Sequence, residues 1–329
     1  MALVDGITVL GGGATRIAIT GGTGFVGRHL ARELVARGQQ VVLIARGKDV
    51  RDESIYKLSK TRFCKSDMSD AQELRRAFLG CDAVAHCAGI NREIGAQTYV
   101  RVHVAGTKHV VEAARLAGVR KIVLLSFLRA RPDCGSAYHE SKWAAEEIAR
   151  GSGLNYTIFK AGVIYGRGDH MLDHLSHALY TFPIFGLVGM KEKHIRPVAV
   201  EDLVTVIIAS FRDARLANKT LGITGPEEFA LSEVVSRVGE AIGKHPLYLP
   251  TPLAIQKVVA WVAERTMKIP LLSLAQLRIL SEGIVEALPA CDALPADLLP
   301  ATRFTAEQIA NGLPDPGPFG LRDLRCCKA

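Results

Sequence analysis

The residues able to do chemistry sit in two short patterns. The first is a glycine triplet, Gly21, Gly24 and Gly27, within Thr20-Gly21-Gly22-Thr23-Gly24-Phe25-Val26-Gly27. It follows an apolar run at 16–20 and opens an amphipathic stretch at 24–37 that stops at Gly38. Strand, tight turn and helix in that order make an anion cradle. Glycine lets the chain turn sharply and lets backbone approach a ligand with no Cβ in the way. The helix start then offers free N–H groups and partial positive charge. In this context the triplet points to the pyrophosphate of a dinucleotide, held by Gly21, Thr23, Gly24, Phe25, Val26 and Gly27. A glycine turn with no ligand is the plainer alternative, and the context weighs against it. Another glycine run, Gly11-Gly12-Gly13 after 7–10, leads into a strand and so lacks a helix dipole.

The second pattern is Tyr138 and Lys142, four residues apart and therefore on one face of a helix. An ammonium beside a phenol favours the phenolate and brings its pKa toward working pH. Such a pair can pass a proton to or from a substrate oxygen during hydride transfer. Alone, it would read as local packing; downstream of a glycine turn it reads as acid/base machinery. Cofactor choice falls to the end of the second strand, Ala45-Arg46-Gly47-Lys48, where no carboxylate occurs before Asp49. An acid there would bind the ribose 2′-OH of NAD, whereas an arginine suits the 2′-phosphate of NADP. Arg46 therefore makes NADP(H) the expected cofactor and NAD(H) the second choice.

These groups need a scaffold that brings strand ends together. Short apolar runs at 16–20, 41–45, 62–65, 82–86, 121–126 and 155–159 alternate with helical stretches at 24–37, 71–79, 98–117 and 138–149. Strands apolar on both faces belong to a parallel sheet covered by helices. The expected fold is α/β, a doubly wound parallel sheet of Rossmann type with a small C-terminal subdomain, its ligands beyond the carboxyl ends of the strands. The expected division is an N-terminal extension at 1–15, a dinucleotide domain at 16–165, and a mixed substrate or partner region at 166–329. Parts of 195–245 (helices at 201–211 and 231–242, a strand at 221–224) rejoin the dinucleotide domain.

The ordered motifs resemble the short-chain dehydrogenase/reductase superfamily, in its extended and atypical branches. The glycine turn is followed by Asp67, by His86-Cys87-Ala88-Gly89, by Tyr138-His139-Glu140-Ser141-Lys142 matching YxxxK, and by Pro197-Val198-Ala199-Val200-Glu201-Asp202 matching PVxVxD. The resemblance implies that Asp67 and Met68 contact the adenine and that Ala88 and Gly89 line the adenosine side. It implies that Lys142 holds the nicotinamide ribose and that Tyr138 is the proton donor or acceptor. It also implies a Ser or Thr just past the fifth strand. Here Leu125-Ser126-Phe127-Leu128 puts Phe127 there, and Ser126 serves only if the strand end shifts. An expected Arg-Pro after the sixth strand is replaced by Lys160-Ala161. Both departures fall on the catalytic half. Within the superfamily, Gly118-Val119-Arg120-Lys121, the run YHESKWAAE at 138–146, Tyr165-Gly166-Arg167-Gly168-Asp169 and the segment 269–277 are similar to the NADP(H)-binding accessory subunit of respiratory complex I, a group whose members include structural rather than catalytic proteins.

Other features bound the partners. The 329 residues carry a net charge of +8, with Lys and Arg scattered, so nucleic acid is not expected. Seven cysteines without a CxxC pair, and no basic leader or apolar run long enough to cross a membrane, suggest a soluble protein of a reducing, cytoplasmic compartment, with peripheral contact to a membrane or protein complex open. His170 and His174 share a helical face, but Asp169 reads as an N-cap and no metal is expected. The apolar stretch 178–187, followed by Lys191, Lys193, His194 and Arg196, could form a substrate wall or a membrane-contacting edge. A buried loop is the reading adopted for it. The expected function is an NADP(H)-dependent oxidoreductase on an apolar carbonyl, hydroxyl or quinone-like small molecule. The alternatives are a non-catalytic NADP(H)-binding subunit or sensor and, third, an NAD-dependent epimerase or dehydratase. The oligomeric state is left open.

Overall fold

A computed structural model describes residues 2–4, 7–9, 15–47, 52–267, 272–314 and 317–320. Lys48, Asp49, the Gly11-Gly12-Gly13 run, Ile269-Pro270-Leu271 and the terminal cysteines lie outside the described residues. In chain order the elements are β1 (Ala2–Val4), β2 (Ile7–Val9), β3 (Arg16–Thr20), α1 (Phe25–Ala36), β4 (Gln40–Ala45), β5 (Thr61–Lys65), α2 (Ala71–Phe78), β6 (Ala83–His86), α3 (Gly106–Leu116), β7 (Lys121–Phe127), α4 (Ala137–Arg150) and β8 (Asn155–Ala161). There follow β9 (Ile164–Tyr165), α5 (His170–Thr181), β10 (Ile184–Val188), β11 (His194–Ile195), β12 (Val198–Ala199), α6 (Val200–Ser210), β13 (Lys219–Ile223), β14 (Phe229–Ala230), α7 (Leu231–Ala241), β15 (Leu247–Thr251), α8 (Leu253–Thr266), α9 (Leu274–Ser281) and α10 (Ala306–Gly312).

The chain divides into two compact units. The first holds Met1–Ala161, Val200–Ile223 and Ala287–Leu299. Its centre is a seven-stranded sheet in the order β13-β8-β7-β6-β3-β4-β5, every neighbouring pair parallel. Strand order reverses between β3 and β6, the switch point where doubly wound sheets bind ligands. Ile17, Ile19, Val42, Ile44, Val84 and Ile122 are fully or almost fully buried, because a parallel sheet is covered on both faces. Side chains from α2 and α3, including Leu74, Phe78, Val110 and Ala114, pack onto one face. The Asp70 carboxylate caps α2 by accepting from the Gln72 and Glu73 amides.

Three elements differ from expectation. The long helix expected from 98 begins as a widened π-helical turn, Val100–Ala105, which carries His103 into the site before α3 starts. Strand β7 extends through Phe127, and β8 extends through Lys160 and Ala161. Those last residues stay in the ladder because Ser126 and Phe127 pair with Lys160 and Ala161, which pair in turn with Gly222 and Ile223.

The second unit holds Gly162–Ala199, Thr224–Glu286 and Pro300–Ala329. It contains three two-stranded pairs, β9 with β12, β11 with β14, and β10 with β15. Tyr165 packs edge-on against Phe304 at 4.8 Å, and Glu227 fixes that strand by pairing with Arg303 and accepting from the Phe304 amide. The buried loop expected at 178–187 is instead the end of α5 followed by strand β10, with Phe182 and Ile184 exposed. Its backbone pairs with β15, yet no described element covers those two side chains.

Candidate functional site

The glycine turn sits at the sheet's switch point. Gly21 adopts a left-handed conformation (φ +68°), and a Cβ there would come within 2.8 Å of the Ala88 backbone. A Cβ on Gly27 would lie 2.2 Å from the Gly21 carbonyl oxygen. Backbone therefore packs on backbone at both positions, a cradle only glycine permits. The Gly24 amide closes the turn on the Gly21 carbonyl at 2.9 Å, and the Gly22 amide ties it to Ile44 of β4 at 3.1 Å. The N-terminus of α1 receives no side-chain cap and carries no acid in its first turn. Its first amides have no intrahelical acceptors and suit a phosphate. Thr23 and Phe25 are half-buried beside it, whereas Val26 packs into the core.

Arg46 follows β4, exposed, two residues beyond the carbonyl that anchors Gly22. Motif reading missed a second cation, Arg28, which is buried in the turn after Gly27. The signal was a charged residue on the apolar face of α1. Arg28 lies 4.0 Å from Asp52, which also pairs with Arg32 and accepts from Ser54. Burial works to raise the Asp52 carboxyl, but Ser54 and the two arginines together hold it below its ordinary value. Asp67 accepts from the Ser69 hydroxyl and amide and from Arg101, and these contacts lower its pKa. Met68 is buried with φ +64°, its carbonyl accepting from His109 Nδ1 at 2.7 Å and its side chain against Gly106.

On the other side of the switch point, Gly89 packs where a Cβ would lie 3.0 Å from the Lys142 ammonium. Gly21, Ala88, Gly89 and Lys142 thus meet in sequence along one wall. Lys142 also donates to the Leu125 carbonyl at 3.4 Å. Burial pulls its pKa down to about 8, with Glu146 and Cys87 working the other way. Tyr138 is buried among the rings of Tyr99, His103, Phe127 and His139, with centroids 5.4–5.8 Å away. Burial, with Tyr99 adding to it, pushes the phenol above its ordinary value. That direction is opposite to the lowering expected from the sequence spacing, because desolvation of the phenolate sets it and Tyr99 adds to it. Phe127 contributes a ring to Tyr138, while Ser126 turns to Glu146, donating at 2.5 Å.

Sequence reasoning missed the polar groups that hold this wall. The Ile90 amide donates to His103 Nε2 at 3.1 Å, so Nδ1 carries the proton and donates to Ser141 Oγ at 2.8 Å. Ser141 in turn donates to the Tyr138 carbonyl at 2.9 Å. The Thr107 hydroxyl donates to the His103 carbonyl, so it accepts from His86 Nε2–H, and His86 Nδ1 accepts from Thr20. Burial keeps both imidazoles neutral, pulling His86 to about 3 and His103 below its ordinary value. Behind them Glu146 meets Arg150 at 2.8 Å and Lys160 at 3.5 Å, a buried charge cluster. A lysine inside the apolar run Ile158-Phe159-Lys160-Ala161 was the available signal for it. In the second unit Asp169 caps α5 through the Leu172 amide, and His170 and His174 lie 5.9 Å apart.

The cradle between Gly21 and Gly27 fits a dinucleotide, and comparison with known proteins agrees. A family model described as NAD(P)H-binding matches residues 21–172. The chain carries an NAD(P)H-binding Rossmann domain. It is 29% identical over 275 residues to a chloroplastic divinyl chlorophyllide a 8-vinyl-reductase of Oryza sativa subsp. indica, covering 78% of this chain and 65% of that protein. It is 28% identical to a ceramide reductase of Caulobacter vibrioides, covering 72% and 74% of the two chains. It is 26% identical to subunit 9 of the NADH dehydrogenase [ubiquinone] 1 alpha subcomplex of Mus musculus, a mitochondrial protein, covering 75% and 65%. The NAD(P)H-binding chain therefore spans just under two thirds of two of these relatives. Among solved structures, the UDP-glucuronic acid 4-epimerase of Bacillus cereus in complex with UDP-glucuronic acid and NAD superposes with a TM-score of 0.66 at 16% identity, covering 90% and 97%. That likeness shows the fold, a Rossmann-type parallel sheet flanked by helices. Among the described residues no helix is long and apolar enough to cross a membrane.

Proposed function

We propose that this NAD(P)H-binding chain is an NADP(H)-dependent oxidoreductase acting on an apolar carbonyl, hydroxyl or quinone-like small molecule. The observation that carries the reading is the continuity of one wall, in which the glycine turn meets Ala88 and Gly89, and Gly89 meets Lys142. Gly21, Thr23, Gly24, Phe25, Val26 and Gly27 would hold the pyrophosphate. Arg46, with Arg28 in the first turn of α1, would favour a 2′-phosphate, because Asp52 is already compensated by Arg28, Arg32 and Ser54. Asp67 and Met68 would border the adenine, and Lys142 the nicotinamide ribose. When bound, the nicotinamide supplies or accepts a hydride.

Tyr138 is the acid of the proposal. Burial holds its proton in place, so it can donate to a substrate oxygen as negative charge develops there. The rings of Tyr99, His103 and Phe127 exclude water and suit an apolar substrate. Ser126, bonded to Glu146, anchors the helix that carries Tyr138 and Lys142. Two relatives named as reductases support this class of reaction. A cytoplasmic location with peripheral contact to a membrane or complex belongs to the same proposal.

A second reading, a non-catalytic NADP(H)-binding subunit, is favoured by Phe127, which stands 5.4 Å from Tyr138 where the superfamily pattern expects a hydroxyl. The relationship to the mouse complex I subunit supports it. One experiment separates the two. The purified protein is assayed for bound nucleotide and for NADPH oxidation against a panel of apolar carbonyls and quinones, with Tyr138→Phe alongside. Turnover that falls roughly 100- to 10,000-fold in the variant supports the enzyme. Tightly held NADPH that no member of the panel oxidises overturns it.

A further inference from the structure

Most of the large apolar side chains exposed among the described residues fall in one part of the second unit, the pair β10/β15 and helix α8. Helix α8 is inverted. Its buried positions are Gln256, Ala260 and Ala263, while Ile255, Val258, Val259 and Val262 face outward. Those outward positions follow the i, i+3, i+4, i+7 spacing of an apolar helix face. Val258 and Val259 are 63% and 53% exposed, and Leu247 on β15 is 71% exposed. The helix is fixed to the strand pair, because Gln256 Nε2 donates to the Leu187 carbonyl at 2.9 Å and to that of Gly186 at 3.3 Å. Leu253 packs on Gly189, beside the bridge from Gly189 to Thr251. An apolar face presented by a rigid substructure in this way marks an interaction site.

Charge selects what covers it. Across 182–192 and 244–264, Lys191, Lys244 and Lys257 outnumber Glu192 and Glu264. Arg265 adds a guanidinium 3.7 Å from the Trp261 ring, an amphipathic pair suited to a water–lipid boundary. A second copy of the chain would set these cations against one another across a two-fold contact. Helix α8 has 14 residues, about 21 Å of helix, too short to cross a bilayer but long enough to lie in its surface. We propose that β10, β15 and α8 form a membrane-docking face that takes the surface of an anionic lipid bilayer. The face stands independently of whether Tyr138 turns over a substrate.

The test uses the full chain and sedimentation with vesicles of phosphatidylcholine, alone or with a third phosphatidylglycerol. Binding is expected to the mixed vesicles, to weaken with added salt, and to fall roughly tenfold or more in the double variant Val258→Ser/Val259→Ser. An unchanged circular dichroism spectrum and thermal transition show that this variant is folded. If it is not, Leu247→Ser gives the same reading from the strand side. Equal binding by wild type and folded variants, or no binding to phosphatidylglycerol vesicles, overturns the proposal. So does a wild-type dimer in sedimentation velocity that the same substitutions dissociate, because the face then belongs to a second copy.

Discussion

Gly27→Ala should cost this protein its cofactor more than its fold. The new Cβ would stand 2.2 Å from the Gly21 carbonyl oxygen and 2.9 Å from the Gly21 carbonyl carbon and the Gly22 Cα. All three are backbone atoms, so no side chain can swing aside. Relief requires the start of α1 to move from the turn by about 1 Å to reach ordinary contact distance. A hydrogen bond of ordinary length stretched by that much is lost. Charge-assisted bonds contribute about 1.5–3 kcal/mol each, so one or two lost phosphate contacts weaken NADPH by roughly 10- to 10,000-fold. Overpacking takes about 1–3 kcal/mol from the apoprotein, which leaves the rest of the sheet folded. Substitutions at other glycines give a ladder of severity. Gly24→Ala meets the Gly21 oxygen at 3.1 Å and should be milder, and Gly47→Ala meets nothing within 4 Å and should be silent. NADPH affinity is read by fluorescence titration and stability by urea unfolding without nucleotide. Wild-type affinity in Gly27→Ala, or equal losses at Gly27 and Gly47, would refute the backbone-cradle argument.

Arg46→Ala should weaken NADPH far more than NADH, because its guanidinium matches a 2′-phosphate and has no special partner in a 2′-hydroxyl; equal losses in paired titrations would remove Arg46 from cofactor choice. Lys121, buried with its Nζ on Asn155 and Thr157, is held down to about 7 by desolvation. Between that value and the ordinary 10.5 the unfolded chain binds a proton the folded chain has released, so this group adds stability as pH rises, by up to about 1.4 kcal/mol per unit. Lys121→Met should flatten that slope in urea unfolding near pH 7 and near pH 9, and an unchanged slope counts against the assignment.

The central sheet was legible in the sequence because its signals are local. Apolar runs such as Val41-Val42-Leu43-Ile44 and glycines at Gly21, Gly24 and Gly27 need only near neighbours to be read. The reversal of strand order between β3 and β6 follows from the same alternation. What remained hidden was set by burial and long-range pairing. No spacing announces that Ser126 donates to Glu146, or that His103 reaches Ser141, because these contacts join β7 and the turn before α3 to α4. The phenol of Tyr138 makes the point most sharply. Spacing puts Lys142 one turn away, but the aromatic rings around the phenol decide its proton affinity. The segment 178–187 misled for a related reason, since apolar composition reports a need for cover and not whether the chain itself supplies it.

The two halves of the site are built from different materials. The side proposed for the pyrophosphate is backbone packed on backbone, Gly21 on Ala88 and Gly27 on Gly21, so its geometry is fixed once the turn forms. The side proposed for the nicotinamide is built from side chains whose charge states burial has set. His86 and His103 are neutral, the Cys87 thiol is pushed up to about 12, and the Tyr138 phenol keeps its proton. Lys142, held near 8, carries the charge among these five groups at neutral pH. A wall with one cation and one undissociated phenol is prepared for a neutral substrate that gains negative charge on oxygen. The same desolvation makes Phe127, one of the rings around the phenol, a contributor to its proton affinity as well as a departure from the superfamily pattern.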